Sequence, residues 1–283
     1  MIRLFSALAL LAALTGPAFA NPTVSTTGIR LTNTASTAQG RDSSIAYNPD
    51  LDLYLLVYEV TGTETSVNAQ LLDHTLAAVG GPRVLGGTPT NGFSQPTVAY
   101  NPVSHEFVVA MVDELTYSIR GIRLRGDGAL TATSVVISSN TAGQFDVSPR
   151  IAVDTTDGDV LFVWQADNSV VNQDTRGRLM TKLLAPVAAQ ATFYDATSVN
   201  GGIPDVAFSS VRGEFLVATT NTASPTRNVL GQRVSASTGA AIGSNITIAQ
   251  RNPADRARVA YNATSDEYLV TYSAYVSGSL YEV

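Results

Sequence analysis

Three residues with opposed charges recur at one structural register of this chain: Arg150, Asp205 and Arg258, spaced 55 and 53 residues apart, each two positions before an alanine. The same place is held earlier by Ser44 and Thr97. A carboxylate between two guanidinium groups can orient a polar ligand, or it can close on itself as an ion pair that fills a channel. The second outcome is expected here, because a charge removed from water normally requires a partner. Under that reading the two arginines keep Asp205 ionised and unsuited to donating a proton.

Other candidates lie in longer polar stretches. After Trp164, the segment "QADNSVVNQDTR" offers Asp167, Asn168, Asn172 and Asp174, whose oxygens suit a sugar hydroxyl or a calcium ion. Such residues are also ordinary loop composition. Phe93 and Phe145 occupy matching places in the two inter-blade loops ahead of the second and third repeats, where an exposed ring can stack on a sugar and a covered one packs between blades. Asp154, Asp157 and Asp159 share the short stretch "DTTDGDV", which lacks the spacing and terminal Glu of a calcium loop and reads as an Asp-Gly turn. His74 and His105 are the two histidines, and the chain has no cysteine. That composition argues against multi-histidine or thiolate metal centres and against a Ser-His-Asp arrangement, and no cofactor is expected.

The scaffold that positions these residues is a repeat. "SSIAYNPDLDLYLLVYE" returns as "PTVAYNPVSHEFVVAMV", "PRIAVDTTDGDVLFVWQ", "PDVAFSSVRGEFLVATT" and "ARVAYNATSDEYLVTYS", anchored on Ala46, Ala99, Ala152, Ala207 and Ala260. Within each copy the first strand ends in a short turn, and the second, such as Tyr54 to Tyr58, is apolar on both faces. A third strand alternates, as in "SIRGIRLRG" and "NVLGQRVSA", and a turn leads to a fourth, "TSVVISS" or "SNITIAQ". Four-stranded antiparallel units of this period, buried on both faces, predict a five-bladed β-propeller, with small alanines where the blades converge on the axis.

The pattern "VAYNP…EF/YLV", with an aromatic closing the second strand at Tyr58, Trp164 and Tyr272, resembles repeats of exported bacterial β-propeller-like proteins. The resemblance spans the chain after residue 20 and implies fold and export, without a functional residue. Thr219 departs from it in the fourth repeat.

The last repeat stops at "SLYEV", where a third strand is expected, and "STTGIRLTNT" near the N-terminus stands where a fourth strand would. Gly28 to Thr32 is therefore expected to pair antiparallel with Leu280 to Val283 and close the ring. Ahead of it, "MIRLFSALALLAALTGPAFA" has the charge, apolar run and Ala-x-Ala end of a secretory signal peptide, which makes 1–20 a leader and 21–283 one domain, secreted or periplasmic. Without the leader, 16 basic stand against 23 acidic residues, a balance that disfavours nucleic acid and anionic lipid. No later stretch reaches the roughly 20 apolar residues of a membrane span.

Long loops on a rigid scaffold concentrate function. The expectation is thus a non-catalytic secreted monomer that binds a glycan or protein ligand through its long-loop face. A structural or surface-assembly role is one alternative. The other is a glycoside hydrolase, which needs two carboxylates roughly 5 to 9 Å apart.

Overall fold

The computed structural model describes residues 39–283 except 63–64, 88–90, 141–142, 170–171, 196–200, 222–226, 251–252, 278–279 and 283. The signal-peptide reading of 1–20 and the closing strand assigned to Gly28–Thr32 lie outside the described residues.

Nineteen strands are described. The first sheet holds β1 (Gln39–Asn48), β2 (Leu53–Thr61), β3 (Thr65–Asp73) and β4 (Ala78–Gly86). The second holds β5 (Phe93–Asn101), β6 (Glu106–Asp113), β7 (Ser118–Arg125) and β8 (Val135–Val136). In the third are β9 (Phe145–Val153), β10 (Val160–Ser169), β11 (Asn172–Met180) and β12 (Ala191–Tyr194). The fourth contains β13 (Asp205–Ser209), β14 (Glu214–Asn221), β15 (Asn228–Ser235) and β16 (Ala241–Ala249), and the fifth β17 (Pro253–Asn262), β18 (Glu267–Ser277) and β19 (Leu280–Glu282). Every pairing within these sheets is antiparallel between neighbours in sequence. The protein is a five-bladed β-propeller, with β1, β5, β9, β13 and β17 as the first, innermost strand of each blade.

The repeated residues have definite mechanical roles. In four of the five repeats the residue after the anchoring alanine stacks on the first aromatic of the second strand: Tyr47 on Tyr54, Tyr100 on Phe107, Phe208 on Phe215 and Tyr261 on Tyr268, with ring centroids 4.9 to 5.3 Å apart. These are directly opposed cross-strand pairs, the unit of sheet stabilisation. The next residue folds the turn. Asn48, Asn101, Asp154 and Asn262 each accept a backbone N–H two residues on, as Asx turns do. Two of these asparagines also reach the next blade: Asn101 Nδ2 donates to the Gly158 carbonyl at 2.7 Å and Asn48 Nδ2 to that of Gly126 at 3.3 Å. The third-strand glycine of the repeat leaves room for the fourth strand. A Cβ on Gly177 would come 2.5 Å from the Phe193 ring, and one on Gly121 2.9 Å from Ile137.

Between sheets, apolar side chains interleave. Leu55, Val57, Val98, Phe107 and Val109 join the first two blades; Val108, Ala110, Val160, Phe162 and Trp164 join the second and third; Leu161, Val163, Phe215 and Val217 join the third and fourth. The second strands are thus covered on both faces, as double-sided apolarity requires. The fifth blade differs. Leu269 occupies the slot filled by Leu55, Val108, Leu161 and Leu216, all buried, yet is 66% exposed. Its strand, β18, is paired by β19 only from Ala274 onward, so Glu267 to Ser273 have a partner strand on one side only among the described residues.

Candidate functional site

The inner strands do not run straight to the axis. Each of β1, β5 and β9 carries a bulge four residues before its alanine, at Asp42, Gln95 and Ser148, where φ is +33°, +52° and +54°. A bulge bends its strand and re-aims a side chain. The result is a pocket of about 490 Å³ built in two tiers around the axis. The residues four before each alanine form one tier: Asp42, Gln95, Ser148, Ile203 and Arg256. Two before each alanine, Ser44, Thr97, Arg150 and Arg258 form the other, with Asp205 completing that register.

Hydrogen bonds from blade to blade hold the tiers. Gln95 Oε1 accepts the Ser148 N–H at 2.7 Å, and the buried Glu59 carboxylate accepts the Gln95 N–H at 3.1 Å. Ser44 Oγ accepts the Val98 N–H at 3.2 Å, and Asp205 Oδ2 accepts the Val259 N–H at 2.9 Å. The pocket walls are therefore positioned by the same contacts that join the blades.

The expected ion pair does not form. None of the ion pairs among the described residues includes Arg150, Asp205 or Arg258. Arg150 Nη1 donates to the Pro149 carbonyl at 2.7 Å, and Arg258 Nη1 to that of Ala257 at 3.3 Å. Burial raises the Asp205 carboxyl above its usual range, and the backbone N–H groups of Val259 and Val206 and the charges of Arg258 and Arg150 only partly offset it. Burial likewise pushes the Arg150 guanidinium down, aided by Arg258, with Asp205 opposing. The sequence argument that Asp205 is held ionised by its neighbours is thus corrected: desolvation outweighs arginines that come near without contact.

The remaining sequence candidates are placed elsewhere. Phe93 is 7% exposed in the core between the first two blades, its ring over Gly86, and offers no face to a ligand. Phe145 is 40% exposed and meets Tyr117 edge-to-face at 4.4 Å. Both open a strand rather than sitting in a loop. The segment after Trp164 is shorter as a loop than its polarity suggests, since the β10–β11 ladder continues to Ser169 opposite Asn172. Within it Asn168 Nδ2 donates to Asp174 Oδ2 at 2.6 Å, and Arg176 Nη2 donates to both Asn168 Oδ1 and Asp174 Oδ2. Asp167 Oδ1 and Asn172 Oδ1 lack a hydrogen-bond partner there. The Asp154 turn is an Asx turn into Gly158, and His105 and His74 lie against Asp50 and Asp52 at 2.6 and 3.6 Å in turns. Among the described residues no group of three or more His, Asp or Glu side chains could hold a metal, and no helix is long and apolar enough to cross a membrane.

Asp42, Gln95, Ser148 and Arg256 escaped the sequence reading. Their signal was present in the repeat, four residues ahead of each alanine, but only the bulge turns that position inward.

No family model matches the chain, and no curated protein matches it. Solved structures do share the fold. A protein of unknown function from Dyadobacter fermentans superposes with a TM-score of 0.58 at 9% identity, over 84% of this chain and 76% of that one. A Hadza microbial sialidase gives 0.58 at 11% identity, covering 83% of this chain and about half of its own, 53%. A GH43 β-1,3-galactosidase solved with galactodeoxynojirimycin gives 0.52 at 10% identity, over 84% and 86%. At such identities the likeness establishes the propeller. The leading expectation of a non-catalytic binder is corrected: the superposable neighbours of named activity are a sialidase and a β-1,3-galactosidase, and among the described residues no ion pair holds Asp205 ionised.

Proposed function

We propose that the protein is a glycoside hydrolase whose substrate enters the axial pocket. The carrying observation is the Asp205 carboxyl at the register of the pocket wall, desolvated and, among the described residues, without an ion pair. A carboxyl whose burial favours the neutral form can deliver a proton to a departing glycosidic oxygen. Asp42 supplies the second carboxylate, exposed and lining the axial pocket, to activate water or to attack the sugar. Ser43, Ser44, Thr97, Ser148 and Gln95 surround them with groups able to bond sugar hydroxyls. The pocket volume falls within the roughly 300–1,000 Å³ of small-ligand sites.

Superposable propellers that cleave glycans support this reading. It also includes export ahead of Asn21 and action as a monomer, checked by the mature N-terminal mass and by light scattering. The deciding experiment is a polysaccharide panel scored for new reducing ends. Activity should disappear in Asp205→Asn and Asp42→Asn with the fold intact by circular dichroism. A panel with no product, or activity untouched by both substitutions, rejects the assignment.

A further inference from the structure

The chain carries a formal charge of −6, yet three of its basic residues, Arg150, Arg256 and Arg258, line one pocket together. Among the described residues lining it the one carboxylate is that of Asp42, with Asp205 close enough to interact electrostatically with Arg150 and Arg258. Arg258 and Arg256 both act on Arg150 as like charges. Among the described residues no carboxylate oxygen lies within ion-pair distance of the guanidiniums of Arg150 and Arg258, and each spends a hydrogen bond on an adjacent backbone carbonyl. Arg150 is half-buried, and Arg258 makes its charge harder still to hold.

A protein gains nothing in stability from gathering like charges at a partly desolvated point. The arrangement becomes favourable when an anion enters, since each guanidinium then exchanges repulsion for charge-assisted hydrogen bonds. Planar guanidinium forks match a carboxylate in particular, with two parallel N–H···O bonds. The rest of the lining fits the neutral part of a sugar, with hydroxyls from Ser44, Thr97 and Ser148, the Gln95 amide and one apolar side chain, Ile203.

We propose that the axial pocket selects a sugar acid, a glycan unit bearing a carboxylate that Arg150, Arg256 and Arg258 clamp. This rests on the glycan-cleaving reading above and names the class of substrate within it. The carboxylate sits among the guanidiniums while the ring hydroxyls meet the Ser, Thr and Gln side chains. Asp42 and Asp205 are left to the scissile bond. A ligand lacking the negative charge forgoes the charge-assisted bonds to Arg150 and Arg258 and binds less tightly.

Titration calorimetry on the full-length protein tests this with glucuronate and oligogalacturonate against glucose and neutral cello-oligosaccharides of matching length. Inorganic phosphate and sulfate serve as free-anion controls. Acidic sugars should bind at least tenfold more tightly than neutral ones, with an advantage that shrinks as salt is raised. Arg258→Gln, at an exposed position, should erase most of that advantage. Arg150→Gln should do the same, and Arg150→Lys should retain the salt dependence while losing affinity. Equal affinity for acidic and neutral sugars overturns the proposal, as does an unchanged preference in both Gln variants. Binding of phosphate or sulfate without binding of sugar acids also overturns it. The two readings separate cleanly. Tight acidic-sugar binding with no bond cleavage refutes the hydrolase and keeps the clamp, whereas cleavage of neutral glycans with no acidic preference keeps the hydrolase and refutes the clamp.

Discussion

Asp205 Oδ2 accepts the backbone N–H of Val259 at 2.9 Å, from the innermost strand of one blade to that of the next. Ser44 makes the same contact to Val98 between the first two blades, at 3.2 Å. The position two before the alanine is therefore a joint between blades before it is anything else. In the fourth blade that joint is built from an ionisable group, and the bond to Val259 orients a carboxyl whose burial raises its affinity for a proton. One residue thus joins two blades and sets an ionisable group at the register of the pocket wall.

Replacing Asp205 by Asn should separate the two roles. The amide oxygen can still accept from Val259, so the fold should survive while proton donation is lost. The sign of the pH effect follows from a raised carboxyl: its stabilising contribution is complete below the unfolded value of about 3.9 and is lost as pH rises through the folded value. Thermal unfolding of Asp205→Asn against the parent should favour the parent most at low pH and the variant most near pH 7. A difference that runs the other way contradicts the desolvated carboxyl.

Asp146 is a second buried carboxyl, 1% exposed, with neither oxygen in hydrogen-bond geometry to a partner. Burial raises it, and Ser138, the Trp164 indole and the Arg176 charge only partly oppose this. By the same sign argument, Asp146→Asn should raise the melting temperature at pH 7 and have a smaller effect near pH 3. Calorimetric scans at the two pH values check it, and activity should not be needed as a readout.

Asn101 is fully buried, accepts the turn N–H groups of Val103 and Ser104 and donates blade to blade to the Gly158 carbonyl. Removing it orphans a buried carbonyl and two N–H groups. Asn101→Ala should cost about 1–3 kcal/mol in urea unfolding, the range for a buried polar group left unsatisfied. Asn48→Ala, whose cross-blade bond is longer at 3.3 Å, should cost less.

Leu161 and Leu269 hold the same repeat position, at 0% and 66% exposure. Leu161→Ala should destabilise by about 2–5 kcal/mol, as core truncations do. Leu269→Ala should stay within about 0.5 kcal/mol, as exposed substitutions do. Parallel denaturant melts test the contrast, and equal costs would mean that Leu269 is covered in solution.

The five-fold repeat was legible because blades bury both faces of their second strand and converge on an axis: Val108, Leu161 and Leu216 cannot be polar, and Ala99 or Ala152 cannot be large where strands crowd together. The turn role of Asn48 and Asn101 was equally local, since an Asx turn is made by one side chain and the next few amides. Charge placement was not local. That Arg150, Asp205 and Arg258 share a register follows from spacing, but whether they touch depends on which competitor reaches the carboxylate first, and the Val259 N–H does. The tier of Asp42, Gln95, Ser148 and Arg256 stayed hidden because a period locates residues along a strand, whereas a bulge at positive φ decides which way three of them face. Sequence alone thus determined the scaffold, through packing that tolerates few residue types. Only the tertiary structure decided the site, because its geometry arises from contacts between residues some 53 positions apart.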